Sequence, residues 1–373
     1  MDIINSFYFR KYESLNVQRV KDMNLSSEED ANNHCDKDLF KSETVDQQLY
    51  EILNSSKVKV QVFGVGGAGN NSVTNLMESK VEGIETIAVN TDAQDLLYTN
   101  ADCKLLIGKK LTGGLGAGNN PEVGMAAAQE SLEDIKKVIS ADMVFITCGL
   151  GGGTGTGAAP IIADIARKLG ALTVSFCFLP FQIEGRKRWQ SAVTGLKNLY
   201  RASDTLIIIP NERLLEVSTN LSLTEAFKLA DEVLTKGIIS MAELVTKPGL
   251  VNVDLADVRT VIKNSGISFI GVGESNGDDR AIKAAENVLT NSIMDVDMQS
   301  TRATLINICG DQSLTLGEAE LVVRKVSERL NQDAEIIWGA VIDPKLKDIL
   351  RVTLIAGSVS FPYVEQLIIN FES

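Results

Sequence analysis

Gly151-Gly152-Gly153-Thr154-Gly155-Thr156-Gly157 is the stretch on which the fold turns. It follows the apolar run Met143 to Thr147 and leads into a helical pattern starting near Ala158. Seven residues of glycine and threonine have no packing value, and ordering glycine costs backbone entropy. A plain flexible loop would not need this placement between a buried strand and a helix. Backbone amides and two hydroxyls at a helix entry can instead wrap a di- or triphosphate. No GxxxxGK[ST] occurs in the chain, so this is not a Walker-type phosphate loop.

Two further glycine-rich stretches point the same way. Gly64-Val65-Gly66-Gly67-Ala68-Gly69-Asn70-Asn71 also follows a strand and precedes a helix. It matches G-x-G-x-x-G, so a dinucleotide-binding domain of an oxidoreductase has to be weighed. The acid such a domain would place at the end of its second strand is missing, because that strand ends in Asn90-Thr91-Asp92. Thr112-Gly113-Gly114-Leu115-Gly116-Ala117-Gly118-Asn119-Asn120-Pro121 again leads into a helix. Three such entries in one sheet can surround one phosphate chain, which no single-loop family explains.

Around these loops the pattern alternates strand and helix. Val58 to Phe63, Ile84 to Asn90, Met143 to Thr147, Leu172 to Phe178 and Thr205 to Ile209 read as strands, and Pro121 to Ile139 as one helix. Continuous apolar runs separated by helices predict a doubly wound, mostly parallel α/β domain over 57–221. Ser222 and Glu225 have capping-box spacing at the head of a long helix, 222–248. Leu223, Phe227, Ala230, Leu234, Ile238, Met241 and Val245 recur along it at helical spacing, and Pro248-Gly249 stops it. At about 1.5 Å per residue it is about 38 Å long. Residues 249–373 read as a second, smaller α/β domain, with strands at Ile267 to Val272, Thr304 to Cys309, Glu335 to Val341 and Val352 to Ala356. A helix in its second gap is opened by Thr315 and Glu318.

Residues 1–56 differ, with eleven Asp and Glu against six Lys and Arg and polar clusters such as Ser26-Ser27-Glu28-Glu29-Asp30. The composition predicts an acidic, flexible extension, with a short helix over Glu43 to Leu53. The whole chain has 373 residues, 44% hydrophobic and 23% charged, with a formal net charge of −13. That balance argues against a nucleic-acid partner. No apolar run approaches the roughly 18 residues that span a bilayer, so no direct membrane insertion is expected. No secretion signal is visible either. The five cysteines have no CxxC spacing and His34 is the single histidine. Reduced thiols in a cytoplasmic protein are expected, with no metal cluster built from side chains.

The chain resembles the tubulin/FtsZ superfamily, and within it the archaeal-type cell-division GTPases. The resemblance rests on the glycine-threonine heptad and on Asn90-Thr91-Asp92-Ala93-Gln94, Phe181 to Arg188, Ile209-Pro210-Asn211-Glu212 and Pro248 to Val258, in family order. It covers about 57–358. It implies GTP and GDP as substrate and product. Gly67, Ala68, Gly69, Asn70 and Asn71 would then lie along phosphates and ribose, and Gly155, Thr156 and Gly157 would grip the phosphates. Ala117 and Gly118 would sense the γ-phosphate. Glu184 and Arg188 would hold the ribose side, and Asn211 and Asp231 would read guanine edges. A carboxylate suits guanine because it accepts from both N1–H and N2–H.

The resemblance places the chemistry in Asn252-Val253-Asp254-Leu255-Ala256-Asp257. Without a family, Asp254 and Asp257 read as two solvated loop acids. They follow the long helix at the end away from its capped start. A site near that start can be served by this loop only from the next molecule stacked head to tail, which makes a filament. The two acids would orient the attacking water, with Mg²⁺ held mainly by phosphates and water. The implied protein is a polymerising GTPase assembling as a ring at the division site, together with membrane-tether and division-ring proteins. The sequence ends at Ser373 without a long linker and apolar-basic terminal peptide, so tethering through such a peptide is not expected. A regulatory relative that binds GTP with little turnover is the alternative, against which the intact Asp254 and Asp257 speak.

Overall fold

The apolar runs become strands whose two faces are both covered, and this fixes the layout of the molecule. The computed structural model describes residues 58–81, 83–213, 223–247, 249–290, 296–362 and 364. The helix expected over Glu43 to Leu53 and the Ser222 cap lie outside them. The first half comprises β1 (Val60–Val65), α1 (Gly66–Glu78), β2 (Ile84–Asn90), α2 (Ala93–Tyr98), β3 (Cys103–Leu106), α3 (Lys109–Thr112), α4 (Pro121–Glu130) and α5 (Leu132–Val138). It continues with β4 (Met143–Gly149), α6 (Thr154–Lys168), β5 (Leu172–Leu179), α7 (Arg186–Ala202) and β6 (Thr205–Pro210). Then come α8 (Leu223–Thr246), α9 (Leu255–Ile262), β7 (Gly266–Asn276), α10 (Arg280–Thr290), β8 (Ala303–Gly310), α11 (Leu316–Ser327), β9 (Glu335–Ile342) and β10 (Ile349–Gly357).

The strand order is β3-β2-β1-β4-β5-β6-β7-β10-β8-β9. From β3 to β6 every pairing is parallel. β5 is buried along its whole length, as expected of a strand between two helical layers. β7 joins β6 through only two residue pairs, Thr205 with Gly266 and Leu206 with Ile267. Beyond it the sheet is mixed, with β10 antiparallel to β7 and β8, and β9 parallel to β8. One hydrophobic cluster runs through both halves, and Val58–Ser373 packs as one compact unit.

Two local readings are corrected. The helix expected over Pro121 to Ile139 breaks at Ser131, which leaves helical geometry at φ −99° and ψ 20°. Its hydroxyl accepts from Gly108 N–H at 3.0 Å, a tertiary bond that holds the break in place. The helix expected near Ala158 begins at Thr154, so the end of the glycine-threonine stretch is the first turn of α6. The short α2 and β3 carry too little periodicity to have been read. The Thr315–Glu318 box forms as expected, Thr315 N–H donating to Glu318 Oε2 at 2.9 Å and Glu318 N–H to Thr315 Oγ1 at 3.2 Å. In α8, Ala230, Leu234, Ile238 and Met241 are buried, as their spacing demands. Phe227 instead stays 40% exposed.

Candidate functional site

β1 and β4 are neighbours at the point where the strand order reverses, and open α/β sheets bind ligands outside the carboxyl ends of such strands. The glycine stretches after these two strands therefore meet. Gly66 has φ +73°, and a Cβ there would lie 2.9 Å from Gly155 N. A Cβ on Gly153 would lie 2.7 Å from the Ala117 methyl, which brings the third stretch against the second. Glycine is needed here so that three loops can touch, before any ligand is considered.

Together they bound a cavity of about 750 Å³. Of the expected residues, Gly67, Ala68, Asn71, Ala117, Gly118, Gly155, Glu184, Arg188, Asn211 and Asp231 line it. Gly69, Asn70, Thr156 and Gly157 do not; they sit beneath its surface. Gly69 backs onto the Thr147 carbonyl, and Gly157 onto the start of α4. Asn70 donates to Asp95 Oδ2 at 3.1 Å. The Thr156 hydroxyl accepts from Gly151 N–H at 2.9 Å, so it holds the loop's own backbone in shape.

One end of the cavity presents amides at the start of α1 and α6, together with Asp92 and Asp95. Asp92 caps α2 by accepting from Gln94 N–H and Asp95 N–H. Asp95 accepts from Asn90 Nδ2 at 2.6 Å as well as from Asn70. Thr91 and Thr154 hydroxyls meet at 2.7 Å and tie the β2 end to α6. With Glu184 and Asp231 the lining carries four carboxylates, against Arg188, whose Nε pairs with Glu184 Oε2 at 2.9 Å. An anion here relies on amides and helix ends, and a polyphosphate would bring its own counter-cation. Among the described residues no group of three His, Cys, Asp or Glu could cage a metal. Mg²⁺ keeps waters and takes one or two carboxylates, which the Asp92–Asp95 corner can offer.

The other end is built for a flat polar ring. Asn211 is 7% exposed, and its Oδ1 has no hydrogen-bond partner among the described residues. Burying an unpaired carbonyl oxygen is costly unless a ligand donor completes it. Asp231 reaches across from α8 and is fixed to α1 by Ser72 Oγ at 2.9 Å and Asn75 Nδ2 at 3.0 Å, one on each carboxylate oxygen. Burial pushes its pKa up, and these two hydrogen bonds oppose the shift. Phe227 lines the same end, edge-on to Phe181 at 5.6 Å between ring centres. Its helical spacing matched the core positions of α8, so its partial exposure could not be read from the sequence.

Asn252, Asp254 and Asp257 do not line the cavity. Asp254 caps α9, accepting from Asp257 N–H at 2.8 Å, while Asp257 Oδ2 accepts from Asp254 N–H at 3.0 Å. Asn252 Oδ1 accepts from Gly249 N–H at 2.7 Å. The capping-box spacing of Asp254 and Asp257 was the signal the sequence reading passed over. Two helices measure the separation. Asp231 and Thr246 are about 22 Å apart along α8 at about 1.5 Å per residue. α6 starts at the glycine loops and ends beside α9, where Arg259 Nη2 donates to Gly170 O at 3.4 Å.

Comparison with known proteins agrees with this geometry. Residues 59–219 match the Tubulin/FtsZ family GTPase domain, and residues 266–360 match the FtsZ family C-terminal domain. The chain is 52% identical over 321 residues to cell division protein FtsZ of Methanothermobacter thermautotrophicus, covering 86% of this chain and 84% of that protein. It is 51% identical over 315 residues to cell division protein FtsZ 1 of Methanocaldococcus jannaschii, covering 84% and 86%. Among solved structures, an empty M. jannaschii FtsZ dimer matches with a TM-score of 0.78 at 50% identity, covering 85% of this chain and 92% of that one. CetZ1 from Haloferax volcanii, a GDP-bound monomer, shares the fold with a TM-score of 0.73 at 20% identity, covering 84% of this chain and 100% of that one.

Proposed function

The chain belongs to the FtsZ family of tubulin-like GTPases, and from that premise we propose that its cavity holds GTP while the next subunit in a filament supplies the acids that hydrolyse it. It is a polymerising cytoskeletal GTPase of cell division. The observation that carries the shared site is the separation just described: the nucleotide cavity and the Asp254–Asp257 turn lie at opposite ends of both α6 and α8. We assign the amides of Gly67, Ala68 and Gly155 and the turn at Ala117 and Gly118 to the phosphates. Asn71, Glu184 and Arg188 take the ribose side, and Asn211 and Asp231 take the guanine edge, with Phe227 against its face. Gly69, Asn70, Thr156 and Gly157 act by holding these loops.

Asp92 and Asp95 would be the residues to hold Mg²⁺, which would offset phosphate charge that the acidic lining cannot. Across the interface, the Asp254 and Asp257 carboxylates of the next copy accept hydrogen bonds from the attacking water and orient it, and Asn252 shapes their turn. Residues 57–221, 222–248 and 249–373 serve as nucleotide domain, connecting helix and catalytic-loop domain. The protein works in the cytoplasm as a ring at the division site, held by tether and ring proteins.

The test mixes two inactive variants. Asp257→Asn removes one acid, and Ala68→Glu puts a negative charge among the phosphate amides. Mixed contacts pair an intact turn with an intact cavity, so the mixture regains GTPase activity that neither variant has. Activity per wild-type molecule also rises with protein concentration. A specific activity that is flat down to concentrations without assembly would place the acids and the nucleotide in one subunit and overturn the proposal.

A further inference from the structure

Two amide side chains close on a single carboxylate oxygen at the phosphate end of the cavity. Asn70 Nδ2, from α1, donates to Asp95 Oδ2 at 3.1 Å. Asn90 Nδ2, from the end of β2, donates to the same oxygen at 2.6 Å. Asn70 is 1% exposed and Asn90 is 3% exposed. Both amides have a fixed sense. Asn90 Oδ1 accepts from Thr91 N–H at 2.8 Å, so its Nδ2 has to face the carboxylate. Turning the Asn70 amide over would set its Oδ1 against Asp95 Oδ2, acceptor facing acceptor.

Asp92 is divided in the same way. Its Oδ1 accepts from Gln94 N–H at 2.9 Å and from Asp95 N–H at 3.1 Å. Among the described residues no hydrogen bond falls on Asp92 Oδ2 or Asp95 Oδ1. Each acid thus has one oxygen taken and one to give. Both border the loops assigned to the phosphates. A Cβ on Gly116 would lie 3.6 Å from Asp92 Oδ2, and a Cβ on Gly67 would lie 3.9 Å from Asp95 Oδ2. Asn70 Oδ1, on the amide that touches Asp95, is buried with no hydrogen-bond partner among the described residues. A buried acceptor of this kind points to a donor that a ligand or its water brings.

The number of oxygens on offer decides which cation suits the corner. Ca²⁺ takes more oxygens than Mg²⁺ and readily takes both from one carboxylate, whereas Mg²⁺ keeps several waters and strict octahedral geometry. A carboxylate held by one oxygen can give only the other. We infer that Asn70 and Asn90 are positioning residues that confine Asp95 to binding through Oδ1, and so make the corner select Mg²⁺ over Ca²⁺. The inference rests on the reading of the cavity as a GTP site. Asn70 Oδ1 then accepts from a water that the cation carries. Partners that hold a metal-binding carboxylate in this way contribute about 10- to 100-fold in metal affinity.

The test titrates the full-length chain with a fluorescent, non-hydrolysable GTP analogue at rising Mg²⁺ or Ca²⁺, below the concentration at which it assembles. The readout is the metal concentration that half-completes the tightening of analogue binding, taken as a ratio of Ca²⁺ to Mg²⁺. Taking the ratio within one variant cancels any general loss of nucleotide affinity. The wild-type chain should need less Mg²⁺ than Ca²⁺. Asn70→Ala and the near-isosteric Asn70→Leu both release Asp95 Oδ2. They should raise the Mg²⁺ requirement about tenfold or more, while the ratio falls towards one. A purely structural role for Asn70 would shift both metals alike and leave the ratio standing, and that result overturns the inference. A wild-type chain with no preference for Mg²⁺ overturns it too, whether or not the variants fold. A wild-type chain that binds no analogue would instead overturn the GTP reading itself, and the inference with it.

Discussion

At the scale of single residues, the guanine end of the cavity is the most committed part of the site. Asn211 carries an acceptor without a partner among the described residues, and Asp231 offers a carboxylate whose oxygens are already aimed by Ser72 and Asn75. GTP is expected to outcompete ATP strongly, because adenine leaves both groups unpaired. Asp231→Asn should weaken GTP binding by roughly 100-fold, the loss of one or two charge-assisted hydrogen bonds. A displacement assay in which ATP and GTP compete equally would refute this. The pH dependence follows from the same carboxyl. Burial raises its pKa, so it protonates at a higher pH than an ordinary aspartate, and only the ionised form accepts from N1–H and N2–H. GTP affinity should fall on acidification. Ser72→Ala removes a bond that stabilises the ionised form and should move that fall to higher pH, as read by fluorescent-nucleotide titration.

At the scale of elements, α9 makes the acids serve two purposes. Asp254 and Asp257 cap the helix reciprocally, so Asp254→Ala removes a cap as well as a carboxylate and should cost about 1 kcal/mol of stability. Asparagine is an equally good cap. Asp254→Asn should therefore keep the melting temperature while GTP turnover falls about 100-fold or more, the range for a lost positioned group. Nucleotide binding should be nearly unchanged in both. If Asp254→Asn melts as early as Asp254→Ala, the cap is not what alanine removes. If it turns over GTP normally, Asp254 only ends a helix.

For the whole molecule, the arrangement makes assembly and chemistry one event. Filaments of Asp257→Asn should outlast wild-type filaments after a GTP pulse, because their nucleotide persists; light scattering reads this directly. The cavity and the α9 turn are both built within Val58–Ser373. A chain starting at Ser56 should bind GTP as tightly as the full chain, and a folded truncation that loses GTP affinity would show the opposite.

The sequence by itself determined the parallel half of the sheet and the family. Continuous apolar runs ending in glycine can only be buried strands that turn tightly into helices, and that signal is local. It also located the three loops and the α8 stripe, because each is a contiguous or periodic pattern. Tertiary structure alone decided which loop residues face the ligand. Thr156 and Gly157 share the heptad with Gly155, yet only Gly155 lines the cavity, because the helix starts at Thr154 and turns the next residues inward. It alone brought Asp95, Phe227 and the Ser72–Asn75 clasp to the site. These residues come from separate elements, and no spacing along the chain encodes a distance across it. The break at Ser131 belongs to the same class, since the bond that supports it comes from Gly108, 23 residues away.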